Sequence, residues 1–360
     1  MKILIAANFD VGLYKFRKEL IQKMIDDGHE VYISLPDGDL VKPLVDMGCS
    51  FIETKLDRRG MNPVKDFALI LSYAGILKKI KPDMVITYTI KPNLYMGMLC
   101  GMKRLPYVIN ITGLGTAFQS HGAVLKLFVN LYKSACKRAQ TVIFENSENQ
   151  QLFKDYGIVK ENQCLLNNGA GVNLDEYSFK SYPEEKTIRF LFIGRIMQEK
   201  GIDELFAAAE KIKAKYENIE FDILGMYEDD YKSVVEELTK KGVINFYGYQ
   251  EDVRPFIERA HCFVLPSWHE GMANTNLECA AMGRPVITGN IHGCLEAVVD
   301  GETGYLAQPK NADDLYEKLE KFIKLPYDEK VKMGRASHEY VAKVFDKKKV
   351  VEKTIERIMN

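Results

Sequence analysis

Apolar positions along this chain gather into short unbroken runs separated by longer stretches in which they recur at helical spacing. KILIAA opens the sequence, a helical pattern follows over about 13–27, and EVYISL comes after Gly28. An unbroken apolar run suits a strand buried on both faces of a parallel sheet, and the intervening 3.6-residue period suits the helix that covers it. Further strands are expected at 51–53, 84–88, 107–111, 141–144 and 164–166. The alternation predicts an α/β fold with a parallel, doubly wound sheet.

A polar break, SFKSYPEEK at 178–186, interrupts this rhythm and reads as a linker. The alternation restarts with IRFLFIG at 188–194 and continues with strands expected near 221–224, 243–247, 262–265, 285–288 and 304–307. After Ala312 the sequence turns to charged helical segments. A chain of 360 residues suits two domains. The expected division is residues 1–178, residues 187–340, and a C-terminal helix over 341–360 that packs back toward the first domain.

Composition narrows the class. Apolar residues make up 46% and charged residues 28%, as in a soluble globular protein. The seven cysteines form no CxxC pair, which argues against a disulfide framework or a zinc site and fits a reducing cytosol. The N-terminal apolar run stops at Asn8 and Asp10, and no later run is long enough to span a bilayer, so neither a signal peptide nor a transmembrane helix is expected. Net charge is −1, but between Lys55 and Arg138 there are 14 Lys/Arg against three acids. With FALILSYAGILKKIK and VLKLFVNLYKSACKR interleaved, this region suits either an anionic membrane surface or a diphosphate; solvated lysines outside two sheet-packed helices are the plain alternative.

Two segments carry candidate chemistry. GRIMQEKG runs from Gly194 to Gly201, and HEGMANTNLE sets Glu270 and Glu278 eight positions apart around a turn that leads into a helix near Ala273. A nucleotide diphosphate sugar needs cations for its diphosphate, unpaired amides beside it, and anions that accept from hydroxyls. Arg195 and Lys200 supply the first, a helix start the second, and the two glutamates the third. Each segment directly follows an expected strand, where open α/β sheets bind ligands, and two such faces would enclose an interdomain cleft.

These residues give the chain its resemblance, over nearly its whole length, to family 4 glycosyltransferases of the two-domain GT-B fold. The matching pattern is GR-x4-KG followed by E-x7-E. The resemblance implies Arg195 and Lys200 on the donor diphosphate, Glu270 beside the donor sugar and Glu278 on the ribose diol, with Gly194, Gly271, Met272, Ala273 and Asn274 completing the donor side. Near the N-terminus, NFDVGLYKFR places Gly12 and Arg17 between the first strand and its helix, where a side-chain-free backbone can approach a phosphate, so Gly12 is a further donor-side candidate, with one glycine where the family often has two. Within the family, YKFRKELI, LDRRGMNP, KPNLYMG and TGLGTAF resemble bacterial enzymes that extend a polyprenyl-diphosphate-linked sugar, among them N-acetylgalactosaminyltransferases and capsule glycosyltransferases. Arg17, Arg58, Arg59, Lys91, Thr112 and Gly113 are then acceptor-side candidates. Many members carry a histidine where this chain has Thr112; His121 in the following loop is a poor substitute, and His269 beside Glu270 is read as shaping its loop.

Two motifs are set aside. Asp37-Gly38-Asp39 spells a metal-binding DxD but reads as a turn with Asp39 capping a helix, and Gly113-Leu114-Gly115 lacks the third glycine of a dinucleotide fingerprint. The family resemblance implies a metal-independent, retaining transferase of a hexose or N-acetylhexosamine, without cofactor. It would take a UDP-sugar, with a slight preference for UDP-GalNAc, and act on a polyprenyl-diphosphate-linked saccharide in surface polysaccharide or glycan assembly. The family resemblance further implies a cytoplasmic enzyme, peripheral at the inner face of the plasma membrane, with partner glycosyltransferases and no nucleic acid. A UDP-sugar epimerase of the same fold and a non-catalytic sugar-nucleotide-binding subunit are the rival readings.

Overall fold

The computed structural model describes residues 1–57, 62–114, 118, 122–184 and 186–359. The chain forms two compact units, one of Met1–Ala170 with Lys347–Asn360 and one of Gly171–Asp346.

The first unit runs β1 (Lys2–Ala6), α1 (Asp10–Asp26), β2 (Glu30–Leu35), α2 (Val41–Asp46), β3 (Ser50–Glu53), α3 (Pro63–Ile80), β4 (Met84–Tyr88), α4 (Ile90–Lys103), β5 (Tyr107–Ile111), α5 (Ala123–Cys136), β6 (Thr141–Phe144), α6 (Ser147–Asp155) and β7 (Cys164–Leu166). Its seven strands lie in the order β3-β2-β1-β4-β5-β6-β7, all parallel. The side-chain alternation of a strand sorts the core. Leu4, Val85 and Ile109 point to the layer of α3, α4 and α5, while Ile3, Ile5, Ile86 and Val108 meet α1 on the other face.

The second unit runs β8 (Ile188–Ile193), α7 (Ile202–Lys215), β9 (Ile219–Leu224), α8 (Lys232–Lys240), β10 (Asn245–Gly248), α9 (Arg254–Arg259), β11 (Cys262–Leu265), α10 (Asn274–Ala281), β12 (Val286–Gly289), β13 (Gly304–Ala307), α11 (Ala312–Lys324) and α12 (Tyr327–Val344). Its sheet has the order β10-β9-β8-β11-β12-β13, again parallel. Both units thus carry the doubly wound arrangement that the apolar runs predict. The last helix, α13 (Lys347–Met359), joins the first unit, where Asn167 Nδ2 donates to Thr354 Oγ1 at 2.7 Å and Lys347 Nζ lies 3.6 Å from Glu19.

The segment read as a linker is instead built into the second unit, and the division falls after Ala170 rather than 178. Arg284 is the reason. It is fully buried, and its guanidinium donates to the carbonyls of Ile257 at 3.0 Å, Ser181 at 2.8 Å and Lys180 at 3.3 Å. Burial pushes its pKa down to about 10. Tyr182 adds a hydroxyl donated to the His261 carbonyl at 2.8 Å. Polar composition marks a linker only when nothing buries it; here backbone carbonyls of 180–181 feed an interior cation. Removing the guanidinium takes a charged donor from three carbonyls, of which Ile257 keeps the Ala260 N–H, and leaves a cavity, so Arg284→Ala should lower the unfolding free energy of the second unit by about 3 kcal/mol or more. Urea titration followed by tryptophan fluorescence checks this, and an unchanged midpoint would contradict it.

Candidate functional site

Strand order in the second sheet reverses between β8 and β11. At such a reversal the connections leave to opposite faces and a crevice opens beyond the carboxyl ends of the two strands. Both chemical motifs lie there.

From β8 the chain passes Gly194, whose N–H donates to the Leu224 carbonyl at 3.0 Å, and makes one 3-10 turn over Gln198–Lys200 that Gly201 closes. Gly201 has φ +70°, and a side-chain carbon there would collide with the Pro266 carbonyl. That close approach lets the GRIMQEKG loop lie directly against the exit of β11. The Trp268 N–H donates to the Glu199 carbonyl at 2.9 Å, which fixes one loop on the other.

The result is an ion pair between Lys200 Nζ and Glu270 Oε1, with Ser267 Oγ donating to the same carboxylate oxygen at 2.9 Å. The side chains are only 18% and 12% exposed, against 46% for Arg195, which lies 3.6 Å from Glu228. Lys200 is therefore a shielded, pre-aimed cation, and Arg195 a more loosely held one at the rim. Glu270 and Gly271 rest on Gly293, whose φ is +90° and where a side-chain carbon would come within 2.6 Å of the Glu270 carbonyl. The Gly293 carbonyl accepts from Ala273 N–H at 2.7 Å, and α10 begins directly afterwards with no side chain capping its first turn. Met272 is buried; Asn274 opens the helix. Glu278 follows one turn on, half-buried beside Tyr177, whose hydroxyl is pushed above its usual range by burial and by the Glu278 and Glu176 carboxylates. Two cations thus follow the exit of β8, and an uncapped helix start and two carboxylates follow the exit of its neighbour β11. Such a set can neutralise a diphosphate and accept from sugar hydroxyls. His269 adjoins Glu270 and is half-exposed.

The first unit places its candidates differently from the sequence reading. α1 begins at Asp10, so Gly12 and Arg17 both lie inside the helix rather than before it. The Asp10 carboxylate accepts from Val11 N–H and, at 2.8 Å, from Leu40 N–H, so it occupies the helix start where a phosphate was expected. Gly12 faces the Phe9 ring, which a side-chain carbon would touch at 2.8 Å. The same bond means that Asp10, not Asp39, fixes the chain before α2. Arg17 turns inward to pair with Glu145, its guanidinium 5.1 Å from the Tyr88 ring centre. Burial alone would lower the Arg17 pKa, but Glu145, with Tyr88 and Glu19, raises it, so the cation is retained. Lys91 pairs with Asp66 at 2.8 Å. Thr112 and Gly113 follow β5 directly, Gly113 with φ +151°. Arg58, Arg59 and His121 lie outside the described residues.

Sequence reasoning missed Glu145, Tyr88, Asn110 and Asn167. With Arg17 and Thr354 they line a cavity of about 20 Å³, room for roughly one water. The Asn167 Oδ1 in it has no partner among the described residues. All four lie at carboxyl ends of strands of a doubly wound sheet, the one signal that could have marked them. Among the described residues no group of three His, Cys, Asp or Glu side chains could hold a metal ion.

Comparison with known proteins fits both halves. Residues 174–340 match the family described as "Glycosyl transferases group 1", and residues 2–146 match "Glycosyl transferase 4-like". The chain is 28% identical to the N,N'-diacetylbacillosaminyl-diphospho-undecaprenol alpha-1,3-N-acetylgalactosaminyltransferase of Campylobacter jejuni, over 94% of this chain and 93% of that one. In structure it is similar to a glycosyltransferase from Rickettsia africae, with a TM-score of 0.80, 21% identity and 99% and 97% of the two chains covered. It is also similar to HepE of Anabaena in complex with UDP-glucose, with a TM-score of 0.82, 17% identity and 100% and 99% covered. With two Rossmann-like domains and both halves of the family's pattern in place, the chain belongs to the family 4 glycosyltransferases of the GT-B fold and is a hexosyltransferase.

Proposed function

We propose that this glycosyltransferase moves an N-acetylhexosamine or hexose, with a slight preference for UDP-GalNAc, from a UDP-sugar to a polyprenyl-diphosphate-linked saccharide, with retention at the anomeric carbon. The observation that carries the donor half is the shielded Lys200–Glu270 pair at the strand-order reversal, flanked by Arg195 and Glu278. The lipid-linked acceptor is supported by the likeness, over nearly the whole chain, to a Campylobacter enzyme named for such an acceptor. Such a substrate requires the enzyme to work at a membrane, at the inner face if donor and enzyme share the cytoplasm, beside partner glycosyltransferases that act earlier and later on the same lipid.

Lys200 and Arg195 would meet the diphosphate, whose charge grows as the glycosidic bond breaks. Because the position of Lys200 is set beforehand by Glu270 and the Gly201 turn, little reorganisation of that cation accompanies the growth, the condition under which fixed charges accelerate a reaction most. Glu270 would lie beside the sugar and Glu278 would accept from the ribose diol. The acceptor hydroxyl would attack from the face the diphosphate leaves, through an oxocarbenium-like state, its proton passing to the departing phosphate. No metal enters this scheme.

Purified protein incubated with UDP-GalNAc, UDP-GlcNAc, UDP-Gal and UDP-Glc, with and without a polyprenyl-diphosphate sugar, separates transfer from interconversion or simple binding. Transfer dependent on the lipid acceptor is expected; interconversion of the sugars without it would overturn the proposal. Glu278→Ala removes two charge-assisted hydrogen bonds of about 1.5–3 kcal/mol each before water competes, so UDP affinity should fall roughly tenfold to thousandfold. Calorimetry on the folded variant tests this, and unchanged affinity would remove the ribose role. Arg195→Ala should lower kcat more than it raises KM, because leaving-group charge peaks in the transition state. A steady-state change confined to KM would contradict that role.

A further inference from the structure

Trp268, the one tryptophan of the chain, lies on the loop after β11, two residues before Glu270. Its backbone N–H already ties this loop to Glu199 in the loop after β8. Lys310 covers its ring, with Nζ 4.5 Å from the ring centre. The indole Nε1 is buried and completes no hydrogen bond among the described residues. Facing it is Glu204, in the first turn of α7 and four residues after Lys200. The Glu204 side chain belongs to a residue only 9% exposed, and its Oε2 is likewise buried without a hydrogen-bond partner among the described residues. Burial raises the Glu204 pKa and Asp203 adds to the rise, while the backbone N–H of Glu204, the Trp268 indole and Lys310 oppose it. Asp203 itself accepts from the Tyr231 hydroxyl at 2.9 Å, which leaves Glu204 as the acceptor turned to the indole.

A buried N–H and a buried carboxylate oxygen, side by side and each unsatisfied, both carry a desolvation penalty that one hydrogen bond would relieve. A short approach of the two loops would make that bond. The donor chemistry supplies a cause for the approach. In the structure the loops are held together by Lys200 on Glu270. A diphosphate competes with Glu270 for the ammonium, so this tether loosens just when the site is used. Glu204 and Trp268 span the same two loops. A carboxylate does not bind phosphate and the indole N–H is buried, so a link between them survives donor binding.

We propose that Glu204 and Trp268 are positioning residues that form a clamp: as the diphosphate draws on Lys200, the Trp268 Nε1–H closes onto the Glu204 carboxylate and keeps the loops after β8 and β11 together. The inference rests on the donor site proposed above and adds to it a device outside the residues that meet the nucleotide. Glu204 acts through Lys200, and Trp268 acts through Glu270. All four belong to the second unit.

Because the chain has one tryptophan, its 15N-labelled form gives a single indole cross peak. The test records that peak with and without saturating UDP for the wild type, Glu204→Gln and Glu204→Leu. UDP affinity by calorimetry and melting of the ligand-free proteins are measured on the same samples. UDP should move the wild-type indole proton downfield and slow its exchange with solvent. Glu204→Gln keeps an acceptor oxygen, so it should retain the shift and hold UDP affinity within about twofold of wild type. Glu204→Leu should lose the shift and about fivefold of affinity. When free of ligand it should nevertheless melt no lower than wild type, since an unsatisfied buried carboxylate has been replaced by an apolar side chain of similar size. A lower melting temperature for Glu204→Leu would make the residue merely structural and overturn the clamp. So would UDP bound by the wild type with the indole peak unmoved, or a Glu204→Gln protein as impaired as Glu204→Leu. Wild type that binds no UDP would overturn the donor site and the clamp together, so the two failures are distinguishable.

Discussion

The approach of two loops at the reversal of strand order in the second sheet is the constraint from which the donor chemistry follows. β8 and β11 are neighbours whose connections leave in opposite directions, and the space between is narrow because Gly201 lies against the Pro266 carbonyl. Any side chain at Gly201 would force the loops apart. With them together, Lys200 meets Glu270, and each desolvated charge is compensated by the other rather than by water. A half-shielded pair of this kind adds little to stability, since desolvation offsets most of its attraction. Its worth is positional: an ammonium is held ready, near an uncapped helix start, where an anion can share it.

The first unit uses the same architecture to a different end. Its strand exits gather Arg17, Tyr88, Asn110 and Glu145 under α13, but there the cation is already answered by a carboxylate inside a space for about one water. That cluster ties α1, three strand ends and the final helix together. The exposed chemistry of the unit lies instead on its outer helices, where apolar side chains and lysines occur side by side.

The strands were legible in the sequence because a parallel strand buried on both faces must be an unbroken apolar run. 84–88, 107–111, 141–144, 164–166, 262–265 and 304–307 coincide with β4, β5, β6, β7, β11 and β13 residue for residue. The turn before α10 was legible for a related reason, since a helix start among Gly, Asn and Thr is written in neighbouring residues. What escaped depends on partners distant in sequence. Arg284 makes interior structure of a stretch that looks like a linker, and Glu145 draws Arg17 inward from 128 positions away. Asp10 takes the amide of Leu40 and fills the first helix start, which no local pattern announces. Local chemistry is encoded locally; who neutralises whom is decided only when the sheet brings its strand ends together.

The most direct measurement is a crystal structure of the protein soaked with uridine diphosphate. Density for the diphosphate between Arg195, Lys200 and the amides at the start of α10, with the ribose against Glu278, is the result expected. A well-occupied nucleotide bound away from the exits of β8 and β11 would contradict the assignment of the donor site.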